Sequence, residues 1–300
     1  CYCPRERCKM NKGRTAWRKV FGVDKEPFID LTLAGVSLKA QEMVGKMSIS
    51  GVQPKLSVKL ADRSSDPHLE VTGEGGQYIL KPQVQAFSNL PENEELCMTI
   101  AEDIGIDVPA HCLVHLKDRS LAYVVKRFDR EGRRKIHQED FSQILEKQDK
   151  YNGSVEEIGK KLKTSSEVPG LDVQLFFERV VFNFLIGNGD AHVKNYSVIY
   201  NEEGLARLAP VYDLVCSRIV IPEEADESAL TIQGKKGRIK RKDFDLLADY
   251  LGIPGKIRFD KFVGKKELFR SRLAGSLLPG ELAEAFDKLL VERFQRLELD

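Results

Sequence analysis

The chain has 300 residues, of which 42% are hydrophobic and 31% are charged, enough for one large domain or for two lobes that share an interface. Its 47 lysines and arginines nearly balance its 46 aspartates and glutamates, so the overall charge does not predict direct nucleic acid binding. Charged residues interrupt the apolar runs, which argues against a membrane-spanning segment and favours a globular cytoplasmic protein.

Residues 1–45 mix basic, aromatic and apolar positions without a clean period, which predicts a short helical or irregular entry segment. Three cysteines, Cys1, Cys3 and Cys8, crowd the start of this segment. Further ligands at zinc-finger spacing do not follow them. We therefore favour reduced thiols of a cytosolic protein over a structural zinc site, which stays the alternative.

A β-rich region follows the entry segment. "SISGVQPKLSVKL" at 48–60 and "GQYILKPQ" at 76–83 predict two strands, joined by a polar, glycine-rich connection. Apolar residues recur at helical spacing over 91–106, after acidic residues that suit a helix N-terminus. Residues 112–130 predict another pair of strands. The region as a whole is therefore expected to form a small sheet with one helix.

From about residue 138 onward the apolar residues recur mainly at helical spacing. The candidate helices are "DFSQILEK", "SVEEIGKKL", "VQLFFERVVFNFLIG", "RKDFDLLADYLGI" and "GELAEAFDKLLVERFQRLEL", and two β-like pieces are "YSVIY" and "ARLAPVYDLV". The helix predicted over 173–187 is apolar nearly all round, so we expect it to be buried on most faces. A loop that follows it is therefore anchored on a rigid element.

The polar residues of "LIGNGDAHVKNYSV" come directly after this apolar helix. Asp190 can accept the proton of an attacking hydroxyl or orient that hydroxyl. Asn195, five positions later, can offer an amide oxygen to a cation, and Asp213 of "APVYDLV" can supply a second oxygen ligand. Two oxygen ligands of this kind suit magnesium that is held mostly by phosphates.

Two upstream residues complete a set that is typical of kinases. Lys81, at the end of "YILK", can neutralise nucleotide phosphates, and Glu94 on the following helix can orient that lysine. Together with Asp190, Asn195 and Asp213 they have the roles and the order of a protein-kinase site. Each residue alone is more typical of a cap, a turn or a solvated surface, so the ordered set carries the prediction.

These segments resemble, in order, those of the HipA-like serine/threonine kinases, the toxin members of bacterial toxin–antitoxin operons. The resemblance rests on "SISGVQPKLSV", "YILKP", "NE" at 93–94, "GIDVP", "YVVKRFDR", "HQEDF", "LIGNGDAHVKNYSV" and "LAPVYDLV". It implies an α+β, bilobal protein-kinase-like fold with a small β-rich N-lobe and a larger helical C-lobe. The expected boundaries are an entry segment at 1–45, the N-lobe at 46–128 and the C-lobe at 129–300.

The resemblance also implies roles for individual residues, with ATP and Mg2+ as cofactors. Asp190 resembles the catalytic aspartate, Asn195 and Asp213 resemble the magnesium ligands, and Lys81 resembles the phosphate-binding lysine. At Lys126 only backbone contacts to adenine carry over, because the family often has an acid there. The full set of implied nucleotide contacts is Ser50, Gly51, Val52, Lys55, Lys81, Glu94, Lys126, Phe128 and His192.

The chain reaches "SISG" by residue 48, which resembles the short HipT-type kinases more than the long HipA type. The HipT resemblance implies autophosphorylation at Ser48 or Ser50 and a HipB-like helix-turn-helix antitoxin as partner. It also implies a separate HipS-like small protein and an aminoacyl-tRNA synthetase as substrate. A small-molecule or lipid kinase remains an alternative, because residues 190–195 read D-x-H-x-x-N, the spacing of the loop of phosphoinositide kinases. An inactive kinase-like binding module is the second alternative.

Overall fold

The structure, a computed structural model, describes residues 4–44, 53–61, 66–132 and 134–300. The chain divides into two compact units. Cys1–Glu95 and Pro109–Arg134 form the first unit, and Leu96–Val108 and Lys135–Asp300 form the second. Among the helices of the described ranges, none has both the length and the apolar character needed to cross a membrane.

The first unit is a five-stranded antiparallel sheet with two N-terminal helices. Its elements are α1 (Pro4–Phe21), α2 (Leu33–Val44), β1 (Leu56–Leu60), β2 (Leu69–Val71), β3 (Tyr78–Pro82), the start of α3 (Leu90–Asp103), β4 (His111–His115), β5 (Leu121–Lys126) and β6 (Arg130–Glu131). The strands lie in the order β2-β1-β3-β5-β4. The short β7 (Arg134–Lys135) follows where the chain passes into the second unit.

The core of the first unit lies on one face of this sheet. Successive side chains of a strand point to opposite faces, so Tyr78 and Leu80 of β3 share a face. Both are buried in an apolar cluster that also contains Val20 and Phe21 of α1. The indole N–H of Trp17 donates to the carbonyl of Leu113 at 3.2 Å, which fixes α1 against the edge strand β4.

The second unit is mostly helical. Its elements are the end of α3, β8 (Gln138–Asp140), α4 (Phe141–Ile144), α5 (Val155–Ser165), α6 (Pro169–Ile186), β9 (Ser197–Tyr200), β10 (Ala206–Leu208), α7 (Ser217–Val220), α8 (Arg241–Leu251), α9 (Lys266–Ala274) and α10 (Gly280–Arg296). Single turns of 3-10 helix lie at Val193–Asn195 and Gly255–Ile257. Strands β8, β9 and β10 form a small antiparallel sheet in the order β10-β9-β8.

Helix α6 is the buried axis of the second unit, as its apolar sequence predicts. It begins with Pro169, whose missing N–H and fixed φ suit the first helical position. Phe182 and Phe184 are buried and lie 5.8 Å and 5.2 Å from the rings of Phe269 and Phe244, respectively. The helix ends at Gly187, whose φ of 69° is left-handed. The chain therefore leaves the core at a defined point and direction.

Several elements differ from the sequence predictions. Leu69–Val71 forms a strand inside the polar connection, and Lys266–Ala274 forms a helix that the periodicity did not indicate. The strand predicted over 48–60 is seen at Leu56–Leu60, and residues 45–52 lie outside the described ranges. "DFSQILEK" forms only the short α4, which an Asp140–Gln143 capping box begins.

The entry segment is helical over most of its described length. Cys1 and Cys3 lie outside the described residues, and Cys8 lies in α1. Cys97, Cys112 and Cys216 are buried as thiols, and reduced thiols in a cytosolic protein stay a prediction. The predicted boundaries at 1–45, 46–128 and 129–300 stay predictions.

Candidate active site

Lys81 and Glu94 form a buried ion pair in the first unit. The ammonium Nζ lies 2.5 Å from the carboxylate Oε1, and the two side chains are 6% and 3% exposed. Lys81 belongs to β3 and Glu94 to the second turn of α3, so the pair joins the sheet to the helix. A charge this deeply buried is stable only beside a partner of opposite sign.

The alternation of β3 explains why Lys81 does not lie in the apolar cluster. Tyr78 and Leu80 point toward α1, so Lys81 points to the opposite face of the sheet. On that face its ammonium lies 5.7 Å from the centroid of the Tyr123 ring, which adds a cation–π contact. Glu94 therefore contacts the strand lysine directly, and its role in orienting that lysine for a nucleotide stays a prediction.

The loop that follows α6 is fixed by a polar network. The side-chain amide of Asn188 donates to Asn183 Oδ1 at 2.9 Å and to the carbonyl of Asp213 at 3.3 Å. The backbone N–H of Gly189 donates to Ser217 Oγ at 2.8 Å. These bonds attach the loop to α6, to the residues after β10 and to α7. Asp190 is therefore presented from a rigid support.

The Asp190 side chain is exposed at the end of this support. Its Oδ1 accepts a hydrogen bond of 2.8 Å from the hydroxyl of Tyr151, which lies between α4 and α5. His192 is buried, and the Tyr151 ring lies edge-on to it with centroids 5.6 Å apart. Burial lowers the pKa of His192, and Lys150 lowers it further. Together these two effects outweigh the opposite effects of Asp190 and Asp213 on that pKa.

Asn195 and Asp213 lie together, although 18 positions separate them in the chain. The Asn195 side-chain N–H donates to Asp213 Oδ2 at 3.3 Å. Asn195 Oδ1 in turn accepts the backbone N–H of His192 at 2.9 Å, which fixes the orientation of the amide. Asp213 has a φ of 57°, in the left-handed region that Asp and Asn tolerate better than most residues.

The donor set at this place suits a magnesium ion. Carboxylate and amide oxygens are hard ligands, and Mg2+ is usually held by one or two carboxylates and by substrate phosphates. Within the described ranges, groups of three or more His, Cys, Asp or Glu side chains that could hold a metal are not found. One carboxylate and one amide oxygen fit a magnesium ion that phosphates would hold as well. Asn195 and Asp213 are its candidate ligands.

The remaining predicted site residues have different surroundings. Lys55 is half-buried just before β1, and Phe128 is half-buried shortly after β5. Lys126 ends β5 with an exposed side chain, and its backbone N–H donates to the carbonyl of Ala110 at 2.8 Å. The glycine-containing loop lies outside the described residues, and with it the predicted nucleotide contacts of Ser50, Gly51 and Val52 and the predicted autophosphorylation sites Ser48 and Ser50.

The first unit also has a basic cleft of about 520 Å³ on the α1 side of the sheet. Its walls come from the end of α1, the start of β3 and the chain after β5; they are Arg18, Lys19, Val20, Phe21, Gly22, Gln77, Tyr78, Lys126, Arg127, Arg130, Glu131 and Gly132. The cleft includes Tyr78 but not Lys81, whose side chain lies on the other face of β3. It is therefore separate from the Lys81–Glu94 pair.

Sequence reasoning missed three residues that organise the Asp190 loop. Asn188 and Ser217 hold the loop, and Tyr151 contacts Asp190 itself. Asn188 stands in the quoted "GNGD" motif, so its position beside Asp190 was a usable signal. Tyr151 lies 39 positions before Asp190 in an irregular segment, and Ser217 lies 27 positions after it in the short helix α7. Neither residue stands in a local sequence pattern that predicts its contact with the loop.

Residues 47–270 match the family described as HipA-like C-terminal domain. The Sinorhizobium fredii protein "Putative kinase Y4dM" is 38% identical over 208 residues, which cover 64% of this chain and 50% of that protein. A Haemophilus influenzae protein with the same kinase designation is 34% identical over 194 residues, 60% of this chain and 55% of that protein. The chain spans about half the length of these curated relatives.

One solved structure is that of Shewanella oneidensis HipA in complex with HipB and its operator DNA. It matches with a TM-score of 0.70 and 22% identity, covering 88% of this chain and 71% of that one. The match confirms the predicted α+β, HipA-like fold. Because the family match extends over most of its length, the chain belongs to the HipA-like C-terminal domain family.

Proposed function

We propose that the chain is an ATP- and Mg2+-dependent protein serine/threonine kinase. The observation that supports this function best is the contact between Asn195 and Asp213 in the same loop region as Asp190. An acid that can receive a proton then stands near two oxygen ligands for a cation. This combination serves phosphoryl transfer, in which positioning and charge neutralisation do most of the catalytic work.

In this reaction Asp190 orients the acceptor hydroxyl and receives its proton. The acceptor oxygen forms a bond to the γ-phosphorus while the bond from that phosphorus to the ADP oxygen breaks, and ADP leaves. Asn195 and Asp213 would hold the magnesium ion. When bound, that ion neutralises the negative charge of the phosphates.

Two further residues support nucleotide binding. Lys81, held by Glu94, supplies a positive charge for the phosphates. The Nδ1 of His192 is buried and has no hydrogen-bond partner among the described residues. A buried polar atom of this kind requires a partner, and a bound nucleotide can provide it. The predicted contacts of Ser50, Gly51, Val52, Lys55, Lys126 and Phe128 belong to the same proposal.

Family membership supports a role as the toxin of a HipBA- or HipBST-type system. One similar protein is named a serine/threonine-protein kinase toxin, and one similar structure is that of HipA in complex with HipB. We therefore propose a HipB-like antitoxin as partner, a HipS-like small protein as a second partner, and an aminoacyl-tRNA synthetase as the cytoplasmic substrate. If high-level expression of the chain alone leaves the growth of its host unchanged, the toxin role fails and the kinase role stands.

Regulation by autophosphorylation completes the proposal. Ser48 and Ser50 flank Ile49 just before Gly51, in the loop expected to cover the phosphates. A phosphate on either serine adds about 1.5–2 negative charges near the bound triphosphate and repels it. Phosphorylation should therefore lower nucleotide affinity and activity.

Incubation of cell lysate with labelled ATP and the purified chain tests the proposed reaction. A labelled protein band that appears with the wild type and not with Asp190→Ala supports a protein kinase. Label in a lipid or a small metabolite would instead identify the alternative kinase class. If no product gains label above the Asp190→Ala background, the chain is a binding module and the proposed function is wrong.

A further inference from the structure

Tyr151 contacts the carboxylate that we assign to proton transfer. Its hydroxyl donates to Asp190 Oδ1 at 2.8 Å, across 39 positions of sequence. A hydrogen bond to an ionised acceptor is about twice as strong as one between neutral groups. The phenol is therefore able to set the orientation of an otherwise exposed carboxylate.

The backbone around Tyr151 is attached on both sides. The carbonyl of Lys150 accepts the N–H of Val193 at 3.2 Å, which ties this segment to the Asp190 loop itself. The N–H of Tyr151 donates to Asp149 Oδ1 at 2.9 Å, and the carbonyl of Gly153 accepts the N–H of Thr231 at 3.2 Å. Tyr151 and Asp190 are therefore held in a fixed relation by the chain and not only by their own contact.

Two side chains contact the ring of Tyr151, which is 42% exposed. The Lys150 ammonium lies 4.7 Å from the ring centroid, and the His192 ring lies 5.6 Å away at an angle of 75°. Burial raises the pKa of Tyr151, and the hydrogen bond to Asp190 raises it further. The phenol therefore keeps its proton at physiological pH and acts as a donor.

We propose that Tyr151 is a positioning residue that fixes the carboxylate of Asp190 for the acceptor hydroxyl, an inference that rests on the proposed kinase function. An ionised carboxylate has two oxygens with about four lone-pair sites. Tyr151 occupies one site on Oδ1 and leaves Oδ2 for the hydroxyl of the substrate. The alternative is that Tyr151 only shields Asp190 and moves away when the substrate binds. A residue with that role would not need the backbone hydrogen bond that ties its segment to the Asp190 loop.

Tyr151→Phe removes this hydrogen bond and keeps the ring with its packing. Tyr200→Phe is the matched control, because the Tyr200 hydroxyl also donates to a carboxylate, that of Glu139, and its ring stacks on His137 at 4.8 Å. Both tyrosines belong to the second unit, but the Tyr200 hydroxyl donates to Glu139 and the Tyr151 hydroxyl to Asp190. The control therefore measures the loss of a tyrosine–carboxylate bond elsewhere in the same unit.

The rate of phosphate incorporation should be measured over a range of ATP·Mg concentrations for each variant. For Tyr151→Phe we expect the maximal rate to fall by about 10- to 100-fold, the equivalent of one hydrogen bond to a charged group, with the half-saturating ATP concentration unchanged. Tyr200→Phe should behave as the wild type. Loss of folding would instead change the far-ultraviolet circular dichroism of the variant and its ATP binding.

A Tyr151→Phe rate equal to or above that of the wild type overturns the positioning role while the kinase function stands. If the wild type transfers no phosphate, the kinase function and the positioning role fail together. Nuclear magnetic resonance tests the Tyr151–Asp190 contact separately. The tyrosines are labelled with carbon-13 at Cζ, and the Tyr151 resonance is the one that is missing from the spectrum of Tyr151→Phe. It should shift in Asp190→Ala and not in Glu139→Ala, and an unshifted resonance in Asp190→Ala means that the hydrogen bond does not form.

Discussion

Lys81 Nζ and Glu94 Oε1 are 2.5 Å apart in a pair that is almost wholly buried, while Lys59 and Glu70 of the same unit form a pair of 3.1 Å that is about half exposed. Burial removes water from the first pair and leaves each charge dependent on the other. The second pair stays hydrated and contributes little. A comparison of variants at the two pairs therefore measures how much burial changes the contribution of an ion pair to stability.

Lys81→Met should destabilise the protein by about 3–5 kcal/mol, because it leaves the buried Glu94 carboxylate without its ammonium partner. Lys59→Met should leave the free energy of unfolding close to that of the wild type. Unfolding in urea, followed by circular dichroism, measures both. A Lys81→Met/Glu94→Leu double variant should recover much of the lost stability, and equal effects of the two single variants would refute the structural importance of the buried pair.

Asp213→Asn should weaken magnesium-dependent ATP binding at least tenfold, since it removes the only carboxylate of the proposed ligand pair. Asn is the suitable replacement because Asp213 has a left-handed φ of 57°, which Ala adopts only with strain. Calorimetric titration with ATP should show the loss with Mg2+ and not with EDTA. The exposed Asp260→Asn serves as the control. Unchanged affinity for ATP·Mg in Asp213→Asn would remove Asp213 from the ligand set.

Gly187→Ala should impair both stability and phosphoryl transfer. A Cβ at this residue would lie 2.4 Å from Leu289 Cδ2, and the φ of 69° is left-handed. Gly204→Ala is the control, because Gly204 has a similar φ of 77° and nothing within 4 Å of the added Cβ. The control should lose only about 1–2 kcal/mol from backbone strain. Thermal unfolding measures both variants. If their melting temperatures fall by the same amount, the Leu289 side chain moves aside without a cost in stability.

The stability of the second unit should depend on pH through Asp172. Burial raises the pKa of Asp172, but hydrogen bonds from Arg207, Ser166 and the Leu208 N–H outweigh this effect and hold the pKa below its ordinary value of 3.8. A lowered folded-state pKa stabilises the fold above the unfolded-state pKa, and this contribution disappears as the pH falls through the folded-state value.

Arg207→Met should therefore lower the unfolding midpoint at pH 7, and the difference from the wild type should shrink as the pH falls below about 4. The exposed pair Lys288–Glu284 provides the control, and Lys288→Met should change the midpoint little at any pH. Urea titrations at a series of pH values measure these differences. A deficit of Arg207→Met that stays constant down to pH 2 would show that Asp172 is not the group responsible.

The sequence predicted the parts of the molecule in which the local pattern and the tertiary role agree. Helix α6 is apolar nearly all round and is buried, and "YILKP" is the strand that presents Lys81. The contact of Lys81 with Glu94 was likewise expected from their kinase-like order. Asn195 and Asp213 were expected as ligands of one cation; they lie in contact, and their role as ligands stays a prediction. Lys81 and Glu94 are charged residues at buried positions, where charged side chains are rare unless they are paired.

Other features depend on contacts that the local sequence does not encode. Strand β2 is three residues long and lies in a polar connection, where pairing with β1 rather than propensity forms it. Helix α9 reads as a mixed charged segment, yet Phe269 is fully buried in the second unit. The contact of Tyr151 with Asp190 joins two loops, so no periodicity or motif could predict it.

The most direct test of the kinase function is the phosphate content of the purified chain after incubation with ATP and Mg2+. Intact-mass measurement and peptide mapping should find phosphate at Ser48, Ser50 or both in the wild type and none in Asp190→Ala, because Asp190 receives the acceptor proton. The Asp190→Ala protein should retain ATP binding and fold. Phosphate that reaches the wild-type level in Asp190→Ala would contradict the account.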